Sequence, residues 1–253
     1  MVSKDLTGKA ALITGASRGI GAAAALAIAR AGAEDILLHY NTFQQGAEET
    51  AEQIRGLGAT VTLFQADLGH MDGVKSLVGH LQGRSFDIVI NNAGHLVQRT
   101  KLLESTEEIY DVVFTLNAKS MWFITQAVAP GMIEKKSGVI VNVGSIAARN
   151  GGGPGATMYS AAKAAVSAFT KGWAKELAPH GIRVNAVSPG TVDNYFHEKH
   201  STREILNSVV AATPAGRLST NEDVSDVILF LCSDASRYIH GQTIEINGGM
   251  FMV

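Results

Sequence analysis

Short apolar runs alternate along this chain with longer stretches in which apolar residues recur every three or four positions. The runs AALIT (10–14), DILLHY (35–40), TVTLFQAD (60–67), FDIVINNAG (86–94), GVIVNVGS (138–145), IRVNAVSPG (182–190) and QTIEING (242–248) predict strands. The stretches 20–31, 44–57, 72–81, 106–136, 157–177 and 221–231 predict helices, the fourth of them with Pro130 in its interior. Strands that are apolar on both faces and alternate with helices imply a parallel sheet covered on both sides. No linker, repeat or charge block interrupts the pattern, so residues 1–253 read as one domain. The least regular segment is 191–217, whose mixed charges and aromatics suggest a mobile flap over a site.

Composition narrows the class. Of the 253 residues 46% are hydrophobic, enough for a sizeable core, and the net charge is −2. That balance argues against a nucleic-acid surface or a membrane-surface binder. The single cysteine, Cys232, cannot form an internal disulfide and points to a reducing compartment. The opening MVSKDLTGKA holds no apolar signal core, and the apolar run 22–29 is too short to span a bilayer. The expectation is a cytoplasmic protein with no nucleic-acid or membrane partner. No His/Cys/Asp cluster has metal-ligand spacing, so no metal is expected.

Two stretches carry candidate chemistry. After the first predicted strand, TGASRGIG places Gly15, Gly19 and Gly21 just before a helix. Glycines there let the backbone turn tightly and approach a pyrophosphate at the helix N-terminus. A plain structural turn is the alternative. In MYSAAKAA, Tyr159 and Lys163 stand one helical turn apart on a common face. An ammonium beside a phenol lowers the phenol's pKa from about 10 and equips it to exchange a proton near neutrality. A surface tyrosine beside a lysine explains the spacing equally well, and Tyr195 with Lys199 repeats it.

Read in order, TGASRGIG, NNAG (91–94), Ser145 followed by Tyr159 and Lys163, and SPG (188–190) resemble the short-chain dehydrogenase/reductase family over essentially the whole chain. The resemblance implies an α/β, Rossmann-type doubly wound parallel sheet of about seven strands with helices on both faces. It implies an oxidoreductase that moves a hydride between nicotinamide and a carbonyl or secondary alcohol. It also sorts the two Tyr-x-x-x-Lys pairs, because only Tyr159 follows a strand-end serine. In this family's pattern Ser145 holds the substrate carbonyl, Tyr159 exchanges the proton, and Lys163 tunes Tyr159 and holds the nicotinamide ribose. Asn117, in TLNAKS, matches an asparagine that organises a water chain to the lysine; its alternative is a polar residue satisfied inside a helix. The implied cofactor contacts are Gly15, Ser17, Arg18, Gly19, Ile20, Gly21, His39, Tyr40, Asn41, Asp67, Leu68, Asn91, Ala93, Gly94, Pro189, Gly190 and Val192, with Tyr159 and Lys163.

Two departures stand out. Ser145 and Tyr159 are fourteen residues apart where the family more often has thirteen, and the glycines of 151–155 are expected to absorb the extra residue. Asn194 occupies the place of a family threonine that contacts the nicotinamide amide, and Thr191 is a nearer substitute. LLHYNT (37–42) lacks the strand-end acid of NAD-preferring members, so a 2′-phosphate meets no carboxylate. Arg18, with His39, Asn41 and Thr42 as further donors, makes NADP the expected cofactor. An ordinary solvated arginine is the other reading of Arg18.

The overall pattern resembles 3-oxoacyl-[acyl-carrier-protein] reductases, with a small-molecule or carrier-bound carbonyl as substrate. An acidic carrier calls for a basic patch, for which Lys135, Lys136 and Arg149 are candidates, while Lys171 and Lys175 read as a solvated face. A sugar, polyol or other small-ketone dehydrogenase shares the scaffold. A non-catalytic dinucleotide-sensing regulator belongs to another class, and the intact Ser145, Tyr159 and Lys163 argue against it. Family members are usually tetramers; Trp122, Phe123, Phe169, Trp173 and the closing MFMV fit a homotetramer here.

Overall fold

The computed structural model describes residues 6–196 and 201–252. Lys199 and the last residue of MFMV therefore lie outside the described residues. Seven strands, β1 (Ala10–Ile13), β2 (Asp35–Tyr40), β3 (Thr60–Gln65), β4 (Ile88–Asn91), β5 (Gly138–Val143), β6 (Ile182–Pro189) and β7 (Thr243–Ile246), form one sheet in the order β3-β2-β1-β4-β5-β6-β7. Every strand pair is parallel.

Side-chain alternation along the strands divides the core in two. Leu12, Leu37, Val89 and Ile140 are in register and face one helical layer. Ile13, Leu38, Ile90 and Val141 face the other. The first layer holds α3 (Met71–Leu81), α5 (Ser120–Lys135) and α7 (Thr157–Leu177). The second holds α1 (Gly19–Arg30), α2 (Gln44–Gly56) and α9 (Asn221–Cys232). The chain builds β1 to β3 outward in one direction and then sets β4 on the opposite edge of β1. A crevice opens above the strand ends where the order reverses, and ligands of doubly wound folds bind there.

The strands and five of the helices fall where the hydrophobic pattern placed them, to within a few residues. The long helical region is divided. It runs as α4 (Glu107–Phe114), a π-helical turn over Thr115–Lys119, and α5. A short helix α6 (Ala147–Asn150) precedes the glycines of 151–155, of which Gly151, Gly152 and Gly155 have positive φ. Segment 191–217 lies outside the described residues at 197–200, and its described part is more ordered than its composition suggested. Val192 pairs with Ser219 in an isolated bridge, and residues Arg203–Ala212 form α8, whose Thr202 hydroxyl accepts from the Ile205 N–H. Among the described residues no helix is long and apolar enough to cross a membrane.

One buried cation secures the helix beneath the crevice. Arg183 on β6 donates to the carbonyls of Leu231 (2.7 Å), Ser233 (3.1 Å) and Ser236 (3.3 Å) and to the Ser236 hydroxyl (2.8 Å). The C-terminal carbonyls of α9 lack intrahelical partners, and the guanidinium fork supplies them. Arg183→Met is expected to lower stability by about 2–3 kcal/mol, because several buried acceptors lose charged donors at once. Arg183→Lys should recover only part of this, having three donors on a single point. Urea unfolding monitored by circular dichroism measures both.

Candidate active site

The crevice is built by two loops that lock together. Gly15 (φ 66°) and Gly19 (φ 62°) take left-handed backbone that other residues resist, and α1 begins at once. Asn92 Nδ2 donates to the carbonyls of Thr14 and Gly15, both at 2.9 Å. Thr14 Oγ1 accepts from the Asn92 and Ala93 N–H groups, both at 3.0 Å. The glycine loop after β1 and the NNAG loop after β4 thus form one rigid floor.

His39 supports this floor from behind and does not face a ligand with free donors. The Gly15 N–H donates to Nδ1 at 3.2 Å, and Nε2 donates to the Ala66 carbonyl at 2.9 Å. That pairing fixes the tautomer. Burial drives its pKa from 6.5 down to about 4, so the ring is neutral at physiological pH. The expectation of His39 as a phosphate donor is corrected accordingly. Asp67 accepts from Gly69 N–H (2.9 Å), contacts His70 Nδ1 (2.8 Å) and accepts from Asn41 Nδ2 (3.3 Å). Burial pushes its pKa up, but the Gly69 N–H and the His70 hydrogen bond and charge outweigh that and hold it below the usual range.

A cavity of about 900 Å³ runs from this floor across the sheet. Gly15, Ser17, Arg18, Gly19, Ile20, His39, Asn41, Asp67 and Leu68 line one end. Ala93, Gly94, Ser145, Tyr159, Lys163, Pro189, Gly190 and Val192 line the other part. Three expected contacts lie behind the wall. Gly21 leaves room for the Gly15 carbonyl, which a Cβ would strike. Tyr40 does not line the cavity. Asn91 is buried and donates to Thr125 Oγ1 (3.1 Å) and Asn142 Oδ1 (2.9 Å), bracing the sheet. The wall also includes Asn92, Phe43, Arg99, Tyr195 and Phe196, which the motifs did not single out as contacts.

Ser145, Tyr159 and Lys163 meet in this cavity. Ser145 Oγ accepts from the Ala147 N–H (3.1 Å) and directs its hydrogen bond to the Tyr159 phenol. Lys163 is buried, donates to the Val143 carbonyl (2.8 Å), and lies 5.8 Å from the Tyr159 ring centre. In the chain alone burial is the largest influence on both groups. It pushes the Tyr159 phenol up to about 12, against the bond from Ser145, and Lys163 down to about 8. The expected lowering of the Tyr159 pKa is therefore not what the protein atoms produce; Tyr159 stays protonated at neutral pH.

Asn117 is satisfied by backbone groups, as a polar residue inside a helix can be. Its Nδ2 donates to the carbonyls of His95 (2.9 Å) and Val113 (2.8 Å), and its Oδ1 accepts from the His95 N–H (3.1 Å). A Cβ on Gly94 would stand 2.7 Å from Lys163 Nζ and 2.8 Å from Asn117 Oδ1, so glycine keeps these two polar groups facing one another. Asn194 donates to Asn221 Oδ1 (3.0 Å) and accepts from the Phe196 N–H (3.1 Å), which engages the amide offered for a nicotinamide. Tyr195 is 45% exposed on its short stretch of chain. Among the described residues no group of three or more His, Cys, Asp or Glu could hold a metal ion.

The buried neutral His39 has a measurable consequence. Its folded pKa lies below its unfolded value, so its share of stability is complete above pH 6.5 and is lost as pH falls toward 4. The loss amounts to about 3 kcal/mol over that window. His39→Asn, which can accept and donate in similar directions, should flatten this part of the pH–stability curve. Denaturant unfolding at pH 7, 6, 5 and 4 compares the two proteins.

The description enoyl-(acyl carrier protein) reductase belongs to the family model that matches residues 15–251. The 3-oxoacyl-[acyl-carrier-protein] reductase FabG of Thermotoga maritima is 39% identical over 248 residues, covering 97% of this chain and 98% of that protein. The corresponding FabG of Staphylococcus aureus is 36% identical over 246 residues, covering 96% and 98%. Among solved structures, a putative NAD(P)-dependent gluconate 5-dehydrogenase from Beutenbergia cavernae with bound NADP at low occupancy superposes with a TM-score of 0.90 at 34% identity over 98% of each chain. An NADH-dependent reductase A1-R′ responsible for alginate metabolism superposes at 0.87 and 33% identity over 99% of this chain and 100% of that one. Matches that run the length of both partners turn the resemblance into kinship, and this chain belongs to the short-chain dehydrogenase/reductase family of oxidoreductases.

Proposed function

We propose that this enzyme is an NADP(H)-dependent reductase of 3-oxoacyl thioesters carried on an acyl carrier protein, acting in the cytoplasm. The observation that carries the reaction class is the Ser145–Tyr159–Lys163 group in the same cavity as the glycine loop. The residues present fit a dinucleotide. Gly15 and Gly19 open the α1 N-terminus toward the cavity, and Gly94 clears the space beside Lys163. On this reading Arg18 and Asn41, which line the cavity, receive the adenosine end, and Lys163, Pro189 and Val192 the nicotinamide end. Among the described residues no carboxylate pairs with Arg18, so its charge is available to a phosphate. The bound nicotinamide supplies the electron pair that reaches the carbonyl carbon.

The chain's own residues do the rest. Ser145 orients the substrate carbonyl oxygen, and Tyr159, protonated at neutral pH, gives that oxygen its proton. Lys163, cationic below pH 8, favours the phenolate left behind. The same groups run in reverse for oxidation, with Tyr159 as base.

The substrate rests on the relatives and the fold more than on a docking patch. Lys135 pairs with Asp87 (3.3 Å) and Arg149 with Glu245 (3.0 Å), which leaves Lys136 as the exposed candidate that pairs with no carboxylate among the described residues. A specific observation favours a second reading. His95, Arg99 and Asn150 make the substrate end polar, and Arg99 donates to the Pro154 carbonyl at 2.9 Å. That chemistry suits a keto-sugar or sugar acid.

Turnover of a 3-oxoacyl thioester against a panel of ketoses and keto sugar acids, with NADPH, decides between them. The thioester should give the highest kcat/KM; a keto sugar acid preferred tenfold or more would reverse the assignment. Tyr159→Phe should lose two to four orders of magnitude in kcat, by roughly the usual worth of a general acid, while binding NADPH as before. No turnover with any carbonyl would favour the sensing role.

We also propose a homotetramer. Trp122, 41% exposed, packs on Phe169 and Trp173 across α5 and α7, and Met252 is 81% exposed. An apolar surface of this kind is commonly covered by another subunit. Light scattering at micromolar concentration should report four chains, and Trp122→Lys should shift the mass downward.

A further inference from the structure

Arg18, at the mouth of the glycine loop, is held between two aromatic rings from separate parts of the chain. Its Cζ lies 3.9 Å from the Phe43 ring centre and 4.0 Å from that of Tyr195. Both distances are well inside the range of a cation–π contact. Phe43 ends the loop after β2, and Tyr195 belongs to the segment that follows β6. Neither ring was implicated by a motif.

Both rings have built seats. Phe43 packs against Gly46, where a Cβ would collide with the Phe43 ring and with the Ser17 carbonyl oxygen. Glycine at 46 is what lets α2 come this close to the glycine loop. Tyr195 is carried by a stretch tied down on its N-terminal side: Val192 bridges to Ser219, the Asp193 N–H donates to the Ser219 carbonyl (2.8 Å), and Asn194 donates to Asn221 (3.0 Å).

We propose that Phe43 and Tyr195 clamp the Arg18 guanidinium so that its N–H edge faces the 2′-phosphate of the adenosine ribose, and that this clamp sets the preference for a phosphorylated dinucleotide. The inference rests on the NADP reading above. A guanidinium against two rings has little face left to stack on an adenine, and what it offers a ligand is its edge. That edge is the geometry in which an arginine pairs with a phosphate through two hydrogen bonds. The rings also restrict a side chain that otherwise loses much rotamer freedom when it binds. Asn41 and Thr42, both exposed, flank the same end of the cavity. Phe43 and Tyr195 act through Arg18 and are positioning residues. Tyr195, the tyrosine of the second Tyr-x-x-x-Lys, thereby acquires a role that has nothing to do with proton transfer.

The test is titration calorimetry with two cofactor fragments, 2′,5′-ADP and 5′-AMP, which differ only in the phosphate. The wild type should bind 2′,5′-ADP more tightly. Arg18→Ala should lower 2′,5′-ADP affinity by about ten- to a hundredfold and leave 5′-AMP nearly unchanged. Tyr195→Ala and Phe43→Ala should each lower it by about two- to fivefold, again sparing 5′-AMP, which serves as the check on folding. Tyr195→Phe keeps the ring and should restore wild-type affinity. In turnover, Tyr195→Ala should raise KM for NADPH while kcat holds. A wild type that binds the two fragments equally would overturn the NADP reading itself. A preference that Arg18→Ala abolishes and Tyr195→Ala leaves intact would overturn the clamp alone. Equal weakening of both fragments in Tyr195→Ala, or loss in Tyr195→Phe, would also overturn it.

Discussion

Where β1 and β4 end, their backbone groups run out of strand partners at the middle of the sheet, and buried polar groups there must be satisfied. Asn92 and Thr14 solve this together. One side chain donates to two carbonyls of the glycine loop, and the other accepts from two N–H groups of the NNAG loop. The glycine loop can then hold left-handed turns at Gly15 and Gly19 without collapsing into the crevice. His39 adds a third support through the Gly15 N–H, and it can do so because burial keeps it neutral. The floor of the cavity is therefore held by the chain's own bonds, as preorganised binding requires.

The Ser145–Tyr159–Lys163 group shows the same dependence on burial. Lys163 lies deep against the Val143 carbonyl, and Tyr159 is raised by the atoms around it. A protein that drives the phenol toward about 12 keeps it an acid at neutral pH. Gly94 is small enough for Lys163 and Asn117 to share one space, which brings the π-helical turn up to Lys163.

The segment after β6 completes the enclosure. Its first residues are fixed to Ser219 and Asn221 beneath the cavity, and Phe196 sets its ring against both Tyr159 (6.0 Å) and His95 (5.6 Å). Tyr195 turns the other way, onto Arg18. Two adjacent aromatics thus cover different parts of the cavity, one against Tyr159 and one against Arg18.

The hydrophobic pattern was enough to place the strands and the parallel sheet, because a strand buried on both faces must be apolar throughout. The glycine loop, the Tyr159–Lys163 pair and Ser145 were legible because their chemistry depends on local spacing or on strand ends. Other features needed the fold. His39 reads as a polar strand residue near a ligand, yet the partners that claim its two nitrogens, Gly15 and Ala66, come from other strands. Arg183 reads as one charge in an apolar strand, and only the packing of α9 shows which carbonyls it serves. Helix α8 was hidden because its segment looked irregular by composition, while its cap at Thr202 and the pairing at Val192 depend on where the chain returns. The Phe43–Arg18–Tyr195 stack joins residues far apart in the chain, and no local spacing can record such a contact. Sequence determines what each segment prefers; which side chains share a face across separate elements is decided when the sheet brings the segments together.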